Sequence, residues 1–219
     1  MKIALVGGTG DIGTGFAVRW SSNHEIIIGS RKADKAKESV AAALALLGER
    51  GNVWGTDNGS AIAAAEVVVL CVPYEHLVSV TLDLKASYRD QLVISPVVPM
   101  IYNGKFFELN PPAEGSAAMQ AKSLLPGLQI VSAFHTICAA ALQALHRELK
   151  ADVFICGDEP EAIDLVAGLT QEIKSLRPLK AGPLAASALV ESLTPMLLNV
   201  ARRNKIKDAG ITIVSDRSL

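Results

Sequence analysis

Hydrophobic and polar positions along this chain fall into two alternating patterns. Short apolar runs, as expected of strands buried on both faces, alternate with longer stretches in which apolar residues recur at helical spacing. Ile3-Ala4-Leu5-Val6 predicts the first strand, and Ile12, Phe16, Ala17 and Trp20 the first helix, beginning near Asp11. Further strands are predicted at Glu25 to Ile28, Val53 to Thr56, Val67 to Val72, Leu92 to Ser95, Gln129 to Phe134, Asp152 to Cys156 and Arg177 to Ala181. Helices are expected at Lys32 to Leu47, from Asp57 or Ser60 through Ala65, and at Tyr74 to Leu84, Ser116 to Leu125 and Ala139 to Leu149. Another starts at Asp158-Glu159-Pro160-Glu161, with an N-cap acid and an early proline, and runs to about Leu176. Leu184 to Lys205 reads as one long helix broken or kinked at Pro195. Pro96-Val97-Val98-Pro99 must be extended, and Ile101 to Gly115, with Asn110-Pro111-Pro112, is the longest irregular stretch, of a length more often functional than idle.

Strand and helix in alternation imply the α/β class: a Rossmann-type, doubly wound, mostly parallel sheet with a small C-terminal helical part. The expected boundary puts residues 1–181 in the nucleotide-binding domain and 182–219 in the helical segment.

The first strand breaks at once into glycines. Gly8, Gly10 and Gly13 fit G-x-G-x-x-G, placed between a strand and a helix as a dinucleotide site requires. The first glycine permits a tight turn, the second lets a pyrophosphate approach the backbone, and the third lets helix and strand pack closely. The following helix then points its free amides at the phosphates.

Composition narrows the class. Of 219 residues, 50% are apolar and 20% charged, with mean hydropathy +0.32, which suits a globular chain that buries some apolar surface between subunits. A net charge of −1 with no long basic run argues against nucleic acid or an anionic membrane surface. No uninterrupted apolar stretch reaches a membrane span, the longest being Val67 to Pro73, and the N-terminus does not read as a secretory signal. Three cysteines (Cys71, Cys138, Cys156) without C-x-x-C fit a reducing cytoplasm and neither a disulfide scaffold nor a zinc site.

The second strand ends in Gly29-Ser30-Arg31, with Lys35 one helical turn on. An NAD site usually carries an acid there for the ribose 2′-hydroxyl. A hydroxyl, a guanidinium and an ammonium instead favour a 2′-phosphate, so the chain reads as an NADP binder.

Commoner chemistries are excluded by spacing. Gly8-Thr9-Gly10 is similar to the short-chain dehydrogenases, but Tyr74, Tyr88 and Tyr102 are followed four residues later by Val78, Leu92 and Phe106, never lysine. Gly13-Thr14-Gly15 lacks the lysine of a P-loop, and His24, His76, His135 and His146 form no metal-ligand pattern; His24 and His146 read as surface residues. What remains is a site poor in acids and bases. That suits hydride transfer between two cofactors, which needs two carbon centres held together with water excluded.

Several stretches together resemble one family, the NADPH-dependent reductases of the 8-hydroxy-5-deazaflavin coenzyme F420, from archaea and some bacteria. They are GGTGDIG (Gly7 to Gly13), GSRKADKA (Gly29 to Ala36), VPYEH (Val72 to His76), SPVVP (Ser95 to Pro99), SAFHTI (Ser132 to Ile137), CGD (Cys156 to Asp158), LRPLKAGPL (Leu176 to Leu184) and LVESLTPMLLN (Leu189 to Asn199). The resemblance implies reversible hydride transfer between nicotinamide C4 and deazaflavin C5, with NADP(H) and F420 as cofactors, in a homo-oligomer, expected to be a homodimer; with the residues already read, no catalytic acid or base is expected. Carried over by position, it implies that Gly8, Thr9, Gly10, Asp11 and Ile12 hold the pyrophosphate and Ser30, Arg31 and Lys35 the 2′-phosphate. It implies that Val72, Pro73, Val98 and Ile137 border the ribose and nicotinamide, and that residues 182–219 line the deazaflavin cleft. His76 and His135 are candidates for the deazaflavin side; for each, capping a loop or packing beneath the cofactor stays open. Asp11 stands where such members have Asn, and either lies near the pyrophosphate or caps the helix. Glu191, an acid among apolar neighbours, bonds a backbone group or pairs across a subunit contact. The tail ITIVSDRSL from Ile211 matches nothing in the family.

Two other readings stay open on the residues alone. One is an NADP-dependent reductase of a small imine or carbonyl, which would need a proton donor and a larger helical domain than the residues after Ala181 supply. The other is an NADP-sensing module without turnover.

Overall fold

A computed structural model describes residues 1–215. Its elements run β1 (Lys2–Val6), α1 (Asp11–Trp20), β2 (Glu25–Ser30), α2 (Ala33–Leu46), β3 (Val53–Asp57), α3 (Asn58–Ala64), β4 (Val67–Leu70), α4 (Tyr74–Asp83) and β5 (Leu92–Ser95). A hairpin of β6 (Met100–Tyr102) and β7 (Phe107–Leu109) follows, then α5 (Ala117–Leu124), β8 (Ile130–Ser132), α6 (Ala139–Gln143), β9 (Ala151–Cys156), α7 (Pro160–Gln171) and β10 (Leu176–Gly182). The chain ends in α8 (Ser187–Glu191) and α9 (Leu193–Asn204).

Eight strands make one sheet in the order β10-β9-β8-β5-β4-β1-β2-β3. The six from β3 to β8 are parallel, giving the doubly wound 3-2-1-4-5-6 order; β9 joins antiparallel through Ser132 and Cys156, and β10 lies parallel to β9. Alternate residues of each apolar run face opposite ways. Ile3, Leu5, Ile26, Ile28, Val67, Val69 and Ile94 pack under α1, α2 and α7, while Ala4, Val6, Ile27, Val68, Leu70 and Val93 pack under α3 and α5. This is why the strands read as continuous apolar runs. On the first face Phe16 stacks on Trp20 at 4.5 Å, and Phe134 meets both rings edge-on at 5.1 and 5.7 Å. Such pairs contribute about 0.5–1.5 kcal/mol beyond area burial.

Four expectations are corrected. The stretch Ile101 to Gly115 is not irregular throughout, since β6 and β7 pair antiparallel with Tyr102 opposite Phe107. Helix α6 stops at Gln143 and does not reach Leu149. The Arg19 guanidinium takes the carbonyls of Leu142 (2.7 Å) and Ala141 (3.1 Å), which a longer helix would need for its next turn. The long C-terminal helix breaks at Ser192, ahead of Pro195, so the proline falls in the first turn of α9, where its missing N–H costs no helical bond. His24, expected at the surface, is buried with Nε2 2.8 Å from Glu172 Oε2.

The C-terminal tail returns to the start of β9, where the Asp152 carboxylate accepts from the N–H of Ile213 at 2.6 Å and from Nε and Nη2 of Arg177, each at 2.7 Å. The last four residues of that tail lie outside the described residues.

Candidate active site

Two cavities meet at the C-terminal ends of the parallel strands. The first, about 1000 Å³, is lined by Gly7, Thr9, Gly10, Ile12, Ser30, Arg31, Lys32, Lys35 and Asn58, and on its α4 side by His76, Ser79, Val80 and Asp83. The second, about 600 Å³, is lined by Tyr74, Val97, Val98, Met100, Ile101, Asn110, Phe134, His135, Ile137 and Thr194. Ile12, Cys71, Val72 and Pro73 belong to both, so they form a shared wall.

The glycine loop is built for close approach. A Cβ on Gly13 would lie 2.3 Å from the Gly8 carbonyl oxygen, so only glycine lets α1 start this near β1. The left-handed turn falls on Gly7 (φ 68°) and not on Gly8, whose N–H is already bonded to the carbonyls of Leu5 and Gly29, each at 3.0 Å. Around Gly10 a Cβ would meet nothing within 4 Å, which leaves open space facing the helix start. The Thr14 N–H closes on the Gly10 carbonyl at 3.0 Å, and the amides of Asp11, Ile12 and Gly13 ahead of it have no intrahelical partner. Open space before free amides is what a pyrophosphate needs. Asp11 is not the helix cap; Gly10 holds that position, and the Asp11 carboxylate and carbonyl accept from Gln143 Nε2 at 3.2 and 3.0 Å.

At the far end of the first cavity stand Arg31, Lys32 and Lys35, around the start of α2. Three cations at a helix N-terminus oppose its dipole, and none is paired with an acid among the described residues, whereas Lys37 bridges Asp34 at 3.3 Å. An anion in the cavity would satisfy both the cations and the dipole. Ser30 is buried, its Oγ 3.3 Å from the Lys32 N–H it accepts from.

The second cavity is largely apolar; Tyr74 and Glu75 line it from the start of α4, and His135 from the turn after β8. Phe134 sits in the left-handed region (φ 67°), costly for an aromatic residue and held by the Phe16–Trp20–Phe134 cluster. The resulting turn carries His135 to the cavity, its Nε2 3.2 Å from Ser132 Oγ. Burial pushes the imidazole down to about 4, against the pull of a hydrogen bond to the Ser95 backbone, so it is neutral at pH 7. Thr194 Oγ1 donates to the His135 carbonyl at 3.0 Å. The thiol of Cys71 on the shared wall is pushed up by burial and stays unionised.

Thus Thr9, Gly10, Ser30, Arg31 and Lys35 come together on one cavity, Val98, His135 and Ile137 on the other, and Ile12, Val72 and Pro73 between them, while Gly8 and Asp11 line neither. His76 lies on the first cavity and not with His135. Sequence reasoning missed Lys32, Asn58 and Thr194. Lys32 could have been read from the same basic run, and Thr194 lies inside LVESLTPMLLN. Asn58 gave no local signal, because its role is long-range: its Oδ1 accepts the Gly7 N–H at 3.0 Å and steadies the loop. A further polar depression of about 600 Å³, at the opposite ends of the strands beside Met1, Lys2 and His24, faces neither the glycine loop nor the basic cluster.

The family described as "NADP oxidoreductase coenzyme F420-dependent" matches residues 2–99. An F420-dependent NADP reductase of Methanocaldococcus jannaschii is 36% identical over 98% of this chain and 99% of its own. One of Methanothermobacter thermautotrophicus is 34% identical over 98% and 95%. A solved structure from an Arthrobacter species shares the fold with a TM-score of 0.84 at 21% identity, covering 98% of this chain and 100% of that one. An imine reductase of Bacillus cereus shares it more distantly, at TM-score 0.64 and 13% identity, and this chain spans 63% of its length. With relatives 34–36% identical over nearly the whole of both chains, the chain belongs to the F420-dependent NADP reductase family.

Proposed function

We propose that the chain catalyses reversible hydride transfer between NADP(H) and coenzyme F420, with the dinucleotide in the first cavity and the deazaflavin in the second. The observation that carries this is the shared wall of Ile12, Cys71, Val72 and Pro73, four residues that line both cavities and so set them side by side. When bound, the nicotinamide supplies a hydride at C4 and the deazaflavin takes it up at C5.

In this reading the amides of Asp11 and Ile12, with Thr9 and Gly10 and the turn at Gly8, hold the pyrophosphate. Ser30, Arg31, Lys32 and Lys35 hold the 2′-phosphate, and His76 borders the same nucleotide. Val72, Pro73, Val98 and Ile137 press the reacting rings together and exclude water. His135 is neutral, so it orients its partner by hydrogen bonding and is no countercharge. Hydride uptake would leave one negative charge on the pyrimidine edge of the deazaflavin, neutralised by one proton from solvent, so moving the hydride itself asks no side chain to change its protonation.

The proposal extends to a homodimer. Leu189, Met196, Val200 and Phe106 leave an exposed apolar surface on α8, α9 and the hairpin that a second copy would cover. Cys71, Cys138 and Cys156 are all free thiols, in keeping with a reducing cytoplasm.

The test is an anaerobic mixture of the protein with NADPH and oxidised F420, following loss of the deazaflavin's visible absorbance, with NADH as control. Bleaching with NADPH and little with NADH is expected. Tight NADPH binding with no bleaching would replace the reductase by an NADP sensor.

A further inference from the structure

Glu191 closes α8 and is fully buried. Both its carboxylate oxygens serve one target: Oε2 accepts the N–H of Ala117 at 2.9 Å and Oε1 that of Ala118 at 3.1 Å. These are the first two amides of α5, and Ser116 Oγ takes the next, from Met119, at 3.1 Å. The helix start is therefore capped partly by its own N-cap serine and partly by a carboxylate 74 positions away in sequence.

No cation pairs with this carboxylate among the described residues; burial pushes it up to about 7, and the two amides pull the other way. A buried acid without a cation is a costly way to fill space, so its placement calls for a function that an apolar residue would not serve. The chain beyond Glu191 supplies one. Thr194, in the first turn of α9, lines the second cavity and bonds the His135 carbonyl. Asn199 then clasps the hairpin, its Oδ1 accepting from the Phe107 N–H at 2.8 Å and its Nδ2 donating to the Phe107 carbonyl at 2.7 Å. Helix α9 and the hairpin are thus joined into one wall of that cavity, and the break at Ser192 sits between this wall and α8. Helix α5, by contrast, is part of the sheet's second core through Ala117, Ala118 and Ala121.

We propose that Glu191 is a positioning residue for the deazaflavin: it pins the C-terminal wall of the second cavity to the N-terminus of α5, fixing Thr194 and the hairpin at the distance the ring requires. The proposal rests on the placement of F420 in the second cavity. It assigns Glu191 a part in one half of the site only, because the first cavity borrows nothing from α8 or α9.

Glu191→Gln and Glu191→Ala test it. Glutamine keeps the shape but sets an NH2 against one of the two amides. In both variants kcat/KM for F420 should fall on the order of ten- to a hundredfold, while the NADPH Kd stays within about twofold. A glutamine variant with wild-type F420 kinetics would overturn the proposal, as would equal loss of NADPH and F420 binding, which marks a merely structural role. If neither variant folds, hydrogen exchange in the wild type decides. The Ala117 and Ala118 amides should exchange on the order of a hundredfold more slowly than free helix-start amides, and exchange at the unprotected rate overturns the tether. Failure of the wild type to bleach F420 would instead count against the functional reading.

Discussion

Thr194 and His135 are joined across 59 positions of sequence by one hydrogen bond, from the threonine hydroxyl to the histidine's main-chain carbonyl at 3.0 Å. The bond ties α9 directly to the turn that leaves β8, and so links two sides of the second cavity. Thr194→Val keeps the shape and removes the donor. Leaving that carbonyl unpaired should cost about 1–3 kcal/mol, read as a lower urea midpoint, and kcat/KM for F420 should fall while the NADPH Kd stays put. Thr194→Ser should restore most of the loss. If valine and serine behave alike, the hydroxyl is not what sets the cavity.

Arg31, Lys32 and Lys35 face the first cavity without acidic partners among the described residues, which makes the cofactor preference a matter of charge. Arg31→Ala combined with Lys35→Ala should weaken NADPH far more than NADH, by on the order of 1.5–3 kcal/mol for each phosphate interaction removed. Titration with both cofactors checks this, and equal losses for the two would remove these residues from the 2′-phosphate site. Rising salt should erode the NADPH preference in the wild type and much less in the double variant, because the discriminating charges are exposed.

How far the sequence led depends on how local each feature is. The parallel strands were readable because Ile3 to Val6, Glu25 to Ile28 and Val67 to Leu70 are buried on both faces, and the phosphate loop because Gly10 and Gly13 do their work within a few residues of one another. The β6–β7 hairpin also carried a local signal, Asn103-Gly104 with Gly104 at φ 90°, masked by strands only three residues long. Other features have no local signal at all. A left-handed Phe134 contradicts its own propensity and exists because Phe16 and Trp20 pack around it. The stop of α6 is imposed by Arg19 from another helix, and His76 falls to the first cavity because of the direction in which α4 leaves the sheet. Glu191 stood out as an acid among apolar residues, but its partners, Ala117 and Ala118, follow only from the fold.

Gly10 and Gly13 should separate binding from stability. A methyl group at Gly13 meets the Gly8 carbonyl at 2.3 Å, so Gly13→Ala must push α1 away from β1 and should cost several kcal/mol, of the order seen for overpacked cores, with a matching drop in Tm. At Gly10 the same methyl enters open space. Gly10→Ala should keep a near wild-type Tm and bind NADPH at least about tenfold more weakly, because the methyl occupies room the pyrophosphate needs. A Gly10 variant that binds normally would mean the phosphates pass elsewhere.

Glu191 and His135 should leave opposing marks on stability against pH. The Glu191 carboxyl is raised from 4.5 to about 7, so between those values the folded state holds a proton that the unfolded state has released, and stability falls as pH rises through the window. His135 is lowered from 6.5 to about 4, so between those values the unfolded state binds the extra proton, and stability rises with pH. Each contribution is on the order of 3 kcal/mol across its window. Where the windows overlap, between about pH 4.5 and 6.5, the two slopes oppose and the wild type should be flatter than either single variant. Tyr74 and Cys156, the other titratable groups in the field of Glu191, are raised further from neutrality and do not change charge there. Urea unfolding from about pH 5 to 8, above the range where the depressed carboxyls of Asp152 and Asp208 titrate, should show Glu191→Gln gaining stability with pH through the histidine and His135→Asn losing it through the glutamate. If Glu191→Gln runs parallel to the wild type, the carboxyl is ionised throughout and its two amides outweigh the effect of burial.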